Sequence, residues 1–123
     1  MKTRYLDLPT YVTKDGSVIR EMMHPSRHGN QNQSLAEASI PVGAKTLLHK
    51  HEITEEIYLV LQGIGILQLG KESLELRQGD TVAIAPGTPH NVRNIGDQEL
   101  KILCCCAPAY SHEDTVILEQ GKD

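Results

Sequence analysis

Apolar residues recur along the chain in short runs that alternate with polar residues, and glycine, proline and asparagine separate the runs. An alternation with a period of two is typical of half-buried strands. The clearest case follows a Gly70–Lys71 turn, where Leu74 and Leu76 lie on one face of a predicted strand. Strands are predicted at 17–23, 33–40, 57–61, 65–70, 72–77, 81–85 and 98–106. The pattern therefore predicts an all-β protein.

The run that begins at Glu56 is apolar on both faces of its predicted strand. The outer strands of a lone barrel normally alternate with polar residues, so this pattern predicts that the outer face is covered. We expect a homodimer that packs through Ile57, Leu59 and Leu61. Coverage by the chain's own N-terminal segment is the alternative.

The segment after the first strand predicts a loop, because Pro25 and Gly29 argue against a helix. His24 and His28 are expected to be exposed there, and a gating role toward a substrate is the less favoured alternative. Glu37 lies on the following strand. If the Glu37 side chain points into the barrel, we expect it to act as an acid or base near a site there. If it points outward, we expect a charge exposed to solvent.

Three consecutive cysteines, Cys104, Cys105 and Cys106, lie on the last long strand. An odd, contiguous set does not make a disulfide framework. Because neighbours on a strand point to opposite faces, bridging geometry is also poor. We expect reduced thiols, with Cys104 and Cys106 pointing inward as small core residues.

Length and charge narrow the possible functions. The 123 residues leave room for one domain, and the net charge is −4. No basic stripe exists and the only aromatic residues are four tyrosines, so no nucleic-acid partner is expected. No apolar run of membrane length is present, and the first residues lack an apolar signal segment. We expect a cytoplasmic protein without a membrane association.

The residues with the clearest chemistry lie between positions 49 and 90. His49 and His51 are two apart, which on a strand places both imidazoles on one face. Glu56 starts the next strand, so a hairpin can return its carboxylate to them. His90 follows a tight turn at Pro86–Gly87, and Pro89 fixes the backbone just before it. We interpret the four as ligands of one divalent transition metal, Fe, Mn, Ni, Cu or Zn, since nitrogen donors with one carboxylate do not suit Ca or Mg.

The spacing of these residues resembles the two signature motifs of the cupin superfamily. In the first motif the matching positions are Gly43, His49, His51, Glu56 and Gly63. In the second they are Gly79, Gly87, His90 and Asn94, while Ala85 stands where the family usually has proline. That departure removes no ligand.

The resemblance implies a double-stranded β-helix, or jelly-roll barrel, that holds the metal inside. We expect one cupin domain over residues 1–123. It divides into N-terminal strands and a loop at 1–40, the motif-bearing barrel at 41–106 and a C-terminal tail at 107–123.

Proteins of this superfamily include dioxygenases, decarboxylases, lyases, isomerases and binding proteins, and fold alone does not choose among them. Our leading interpretation is a metal-dependent enzyme of one of these types that acts on a small oxygenated molecule, which chelates the metal. Tyr58 shares a strand face with Glu56 and is the candidate catalytic proton donor; a core role is its alternative. The alternative function is a non-enzymatic module that binds or senses a small ligand through the metal.

Overall fold

The predicted alternation becomes eleven strands in a computed structural model, which describes residues 1–120. One 3-10 turn and one helical turn accompany them. The strands are β1 (Thr10–Val12), β2 (Val18–Met23), β3 (Ser34–Ile40), β4 (His49–His51), β5 (Glu55–Gln62), β6 (Gly65–Leu69), β7 (Glu72–Leu76), β8 (Thr81–Ile84), β9 (His90–Asn94), β10 (Leu100–Ala107) and β11 (Thr115–Ile117). The 3-10 turn is Tyr5–Asp7, and the helical turn α1 is Pro25–His28.

The strands form two antiparallel sheets. The first has six strands in the order β1-β2-β3-β10-β5-β8, and the second has five in the order β11-β4-β9-β6-β7. Many neighbours in each sheet are distant in sequence, as in the pairing of β10 with both β3 and β5. This arrangement confirms the predicted all-β jelly roll.

Inward-facing residues of the two sheets make the core. The fully buried apolar side chains include Leu67, Leu76, Ile84, Leu100 and Ile102. On the six-stranded sheet one inward row runs from Glu21 through Ala36 and Cys104 to Tyr58. Because the two middle residues are small, this row leaves a space inside the barrel rather than filling it.

Most predicted strands are confirmed within one or two residues, and two N-terminal features differ. The short strand β1 was not predicted. The predicted loop around His24 and His28 is wrong in part, since α1 forms one helical turn there. Pro25 occupies the first helical position, where its missing N–H costs nothing, and the His24 side chain accepts a hydrogen bond from the Ser26 amide. Gly29 then ends the turn.

Glu37 points outward, away from the barrel interior, yet it is buried. The Tyr5 hydroxyl donates a hydrogen bond to its carboxylate, and Arg20 stacks on the Tyr5 ring. The N-terminal segment therefore covers the outer face of β2 and β3. The expectation of a solvated charge is wrong, because this cover replaces water around Glu37.

Among residues 1–120, the outer face of β5 is only partly covered. Ile57 is 41% exposed and Leu61 is 38% exposed. The N-terminal segment thus covers a different part of the sheet from the one that the apolar pattern of β5 singles out.

The three cysteines are free, and the predicted alternation is confirmed, with Cys104 and Cys106 buried and Cys105 half-buried. Among residues 1–120, neither helical segment has the length and apolar character of a membrane span.

Candidate metal centre

Three histidines converge inside the barrel. Strand β4 places His49 and His51 on its inward face, and β9, its neighbour in the sheet, pairs His90 directly with His49. One ring nitrogen from each of the three lies within 4.8 Å of the others, and all three side chains are buried. The strand geometry expected from the His-x-His spacing is therefore observed, and the group is positioned for a metal ion.

Each imidazole is oriented by a hydrogen bond at Nδ1. These bonds leave every Nε2 directed at the shared space, as in metal sites where an outer partner fixes the ring orientation and the tautomer. The Nδ1 partners are the Leu47 carbonyl for His49 at 2.7 Å, the Thr115 hydroxyl for His51 at 3.0 Å and the Thr88 carbonyl for His90 at 2.8 Å.

Glu56 completes one side of the cluster. Its Oε1 lies 3.3 Å from Nε2 of His51 and 3.4 Å from Nε2 of His90. The Cys106 thiol donates to its other oxygen, Oε2, at 3.4 Å. Burial alone would raise the pKa of Glu56, but the His51 and His90 imidazoles outweigh burial and lower the pKa to about 2. The carboxylate is therefore an anion at neutral pH.

Two buried atoms of this cluster lack hydrogen-bond partners among residues 1–120: Oε1 of Glu56 and Nε2 of His90. Unpartnered buried polar atoms are costly and call for an explanation. A transition metal explains both at once, because it binds imidazole nitrogen and carboxylate oxygen. The residues present therefore fit such an ion.

The histidine pKa values differ across the cluster. Burial, reinforced by the nearby His90, lowers the pKa of His49. Burial would also lower the pKa of His51, but the negative charge of Glu56, 3.3 Å from its Nε2, outweighs burial and raises that pKa. A metal ion would compete with protons for these nitrogens, so its affinity should fall in acid.

An additional carboxylate, Asp15, reaches the cluster from the turn between β1 and β2. Its Oδ2 lies 3.5 Å from Nε2 of His49. In the sequence, Asp15 stands in a Lys14–Asp15–Gly16 run, which signals a turn and does not mark a ligand. No local signal shows that the turn packs over the barrel, since that position depends on contacts with distant segments.

A cavity of about 630 Å³, counting the solvent at its mouth, adjoins the cluster. His49, His51, Glu56 and Tyr58 lie in its wall. The Tyr58 hydroxyl makes no hydrogen bond to any residue from 1 to 120, and burial raises the pKa of this phenol well above its usual value. Tyr58 therefore presents a neutral hydroxyl to the cavity.

The cavity contains a second polar group that sequence analysis did not identify. Glu21 projects from β2, its Oε2 accepts a hydrogen bond from the Tyr11 hydroxyl at 3.2 Å, and its Oε1 is buried with no partner among the described residues. Burial raises the pKa of Glu21. Ser17, Ile19 and Glu21 alternate along the strand and share its inward face, and this pattern could have shown that Glu21 points into the barrel.

The remaining candidate residues lie elsewhere. The Nε2 of His24 donates to the Tyr110 carbonyl, and the Nδ1 of His28 accepts from the His24 amide. Neither lines the cavity. Glu37 faces the opposite side of the sheet, so none of the three reaches the histidine cluster.

Comparisons with known proteins agree with this architecture. A family model described as the cupin domain, Cupin_2, matches residues 36–106. The uncharacterized protein MJ1618 of Methanocaldococcus jannaschii is 56% identical over 97% of this chain and 95% of its own length. The oxalate-binding protein of Thermotoga maritima is 31% identical over 68% of this chain and 65% of its own length.

Among solved structures, the polyketide cyclase RemF from Streptomyces resistomycificus superposes with a TM-score of 0.82. The match covers 100% of this chain and 88% of RemF, at 19% sequence identity. At that identity the similarity establishes a shared fold and nothing finer.

Proposed function

The chain belongs to the cupin family, and from that premise we propose that it is a small metal-dependent enzyme acting on a small oxygenated molecule. The observation that carries the proposal is the convergence of three oriented imidazoles beside a cavity, with the Glu56 carboxylate next to two of them. The reaction would be of the dioxygenase, decarboxylase, lyase or isomerase type.

The proposed metal ligands are Nε2 of His49, His51 and His90 with Oε1 of Glu56. Two donor atoms bonded to one ion at about 2.1 Å, at an angle of about 90–110°, lie roughly 3.0–3.4 Å apart. The separations of Glu56 Oε1 from His51 and His90, 3.3 and 3.4 Å, support this assignment. The mixed donors suit Fe, Mn, Ni, Cu or Zn.

A metal bound here would supply Lewis acidity, an activated water or, for a redox-active ion, a site for oxygen chemistry. The chain's own residues do the rest. The Nδ1 hydrogen bonds hold the ligands in place before the substrate arrives. The apolar walls around the cluster exclude bulk water, which strengthens the interaction between the site and a charged or polar substrate oxygen.

Tyr58 is the proposed proton donor. Its neutral, unpartnered hydroxyl lies in the cavity wall, on the same strand face as Glu56. We expect Tyr58→Phe to keep its metal content while turnover falls by about 10²-fold, since positioned acids commonly contribute that much. Tyr5→Phe, on the outer face, is the matched control. Unchanged turnover in Tyr58→Phe would remove this residue from the mechanism.

The alternative is a non-enzymatic module that holds a small ligand at the metal. The similarity to the oxalate-binding protein favours it, because that relative, 31% identical over 84 residues, is named for binding. Oxalate would then be a fitting probe, as its two carboxylates are hard oxygen donors.

One assay separates the two functions. The metal-loaded protein is incubated with a panel of small carboxylates, hydroxy acids and sugars, with oxygen uptake and product formation followed together. Turnover of any member that is lost in His51→Ala supports the enzyme. Saturable binding of oxalate by calorimetry, with no turnover across the panel, supports the binding module instead.

A further inference from the structure

The turn between β1 and β2 holds one carboxylate in a fixed orientation. The Asp15 Oδ1 accepts hydrogen bonds from the Ser17 amide at 2.9 Å and the Ser17 hydroxyl at 2.7 Å. The turn itself is closed by a bond from the Thr13 amide to the Ser17 carbonyl. With Oδ1 engaged, only Oδ2 is free to contact a ligand.

A second set of contacts places this turn at the histidine cluster. The Leu47 amide donates to the Asp15 carbonyl at 2.7 Å, just before β4 delivers His49. The side chain of Asp15 is only 13% exposed and lies in the cavity wall. The turn is thus bound to the same segment that carries the first histidine of the cluster.

The free oxygen lies at a distance that suits a shared ion. Oδ2 is 3.5 Å from Nε2 of His49, which is too long for a good hydrogen bond and close to the separation of adjacent ligands on one metal. Glu56 shows the same kind of separation from His51 and His90. The two carboxylates therefore lie beside different histidines of the cluster: Asp15 beside His49, and Glu56 beside His51 and His90.

We propose that Asp15 is a fifth protein ligand of the metal, provided by the N-terminal hairpin, and that the site accepts a substrate through a single oxygen atom. This inference rests on the proposed metal site. With five protein ligands, an ion that prefers six has one open position, so the chelation expected from four ligands would be excluded. Asp15 lies outside the stretch 36–106 that matches the family model.

The test uses Mn²⁺ as the probe and needs no substrate. Affinity is measured by titration, and the relaxation of bulk water protons reports how many exchangeable waters the bound ion carries. Asp15→Asn keeps an oxygen for the Ser17 hydrogen bonds but loses the anionic ligand. Asp97→Asn, an exposed change of the same charge, is the control.

We expect Asp15→Asn to bind Mn²⁺ at least about tenfold more weakly, as losses around a metal site commonly do. We also expect the contribution of bound water to rise about twofold, because a second position opens to solvent. Asp97→Asn should match the wild type in both. Asp15→Ala repeats the test without an amide, and far-ultraviolet circular dichroism confirms that each variant is folded.

The possible failures are distinguishable. If wild-type protein binds no Mn²⁺ and no other transition metal, the proposed function fails and the Asp15 ligand fails with it. If the wild type binds Mn²⁺ and both Asp15 variants match it in affinity and relaxation, only the Asp15 inference is overturned. Weaker binding with unchanged relaxation also overturns it, since Asp15 would then act by charge alone.

Discussion

Asn94 ends the second motif without contacting the histidine cluster, and its hydrogen bonds explain its place there. Its Nδ2 donates to the carbonyls of Ile40 and Gln98, and its Oδ1 accepts from the Gly96 amide, all at 2.9 Å. The side chain and its bond to Ile40 are buried, and the other two bonds are partly shielded from water. Asn94 therefore joins three segments of the barrel.

We expect Asn94→Ala to lower the free energy of unfolding by about 2–4 kcal/mol, because the substitution leaves buried carbonyls unpaired. Urea unfolding measures the loss. The half-buried Asn91 on the other face of the same strand is the control, and Asn91→Ala should change stability far less. Equal stability of Asn94→Ala and wild type would show that the three bonds contribute little.

Glu21 is a residue whose burial works against stability. Burial raises its pKa above the value in the unfolded chain, so the folded state binds the proton more tightly. The free energy of unfolding therefore falls as pH rises from the unfolded-state pKa of Glu21 to its higher folded-state pKa. Above the folded-state pKa the loss of stability is complete. Polar groups held at such a cost are commonly found where a ligand binds.

Replacing Glu21 with Gln removes the titration but keeps the shape of the side chain. We expect Glu21→Gln to be more stable than wild type at pH 7, by a margin that shrinks toward pH 4. Urea unfolding of the metal-free proteins across that range measures the margin. Glu72→Gln, at an exposed position, controls for loss of charge, and a pH-independent margin for Glu21→Gln would contradict the account.

At the level of elements, the two motif glycines that follow strand ends test the barrel's geometry. Gly63 and Gly79 have nearly the same positive φ, +92° and +91°. A Cβ at Gly63 would lie 3.0 Å from the Leu100 Cα and 3.1 Å from the Glu99 carbonyl, whereas one at Gly79 would meet no atom within 4 Å. The two positions thus share backbone strain and differ in packing.

We expect Gly79→Ala to cost about 1–2 kcal/mol from the left-handed conformation alone. Gly63→Ala should cost a further 1–3 kcal/mol, roughly, because backbone atoms of the neighbouring strand would have to move. Thermal and urea unfolding of the pair measures the difference. Equal losses of unfolding free energy in the two variants would mean that the backbone beside Gly63 moves at little energetic cost.

The same elements show how far sequence reasoning reaches. The strands that carry His49, His51 and Glu56 were predicted, because alternation and spacing are local properties of the chain, whereas the strand that begins at His90 was not predicted. The Lys14–Asp15–Gly16 run signals a turn from its residue types alone, and Asp15 does lie in a turn. Its approach to His49 depends on a hydrogen bond from Leu47, which no local pattern encodes.

The C-terminal residues from 107 to 120 also contribute to the site through contacts that their own sequence does not show. Within the tail at 107–123, the run 115–118 suited either a short strand or a single helical turn; the structure has the strand, β11, which pairs with β4, and its Thr115 hydroxyl orients His51. A strand of three residues leaves little periodicity to detect. We propose that the N-terminal strands, the motif-bearing barrel and this stretch act as one cupin domain, since all of them contribute to one cavity.

At the scale of the whole molecule, the uncovered face of β5 supports our proposal of a homodimer. Ile57 and Leu61 are exposed there, and the N-terminal segment packs on another part of the sheet. A second copy of the chain is the proposed cover. We expect light scattering at micromolar concentration to give twice the mass of one chain.

The double variant Ile57→Lys/Leu61→Lys should give the mass of one chain, because two buried ammonium groups would oppose the interface. Ile53→Lys, at a more exposed loop position off the sheet, should leave the mass doubled. A single-chain mass for the wild type would rule the homodimer out.

The most direct test of the metal centre is elemental analysis of protein purified without chelators or a metal-binding tag. Wild type, His51→Ala and the exposed-histidine control His112→Ala are compared, each before and after reconstitution. We expect near one equivalent of Fe, Mn, Ni, Cu or Zn in the wild type and the control, and loss of that metal in His51→Ala. Wild-type protein that holds no transition metal even after reconstitution would contradict it.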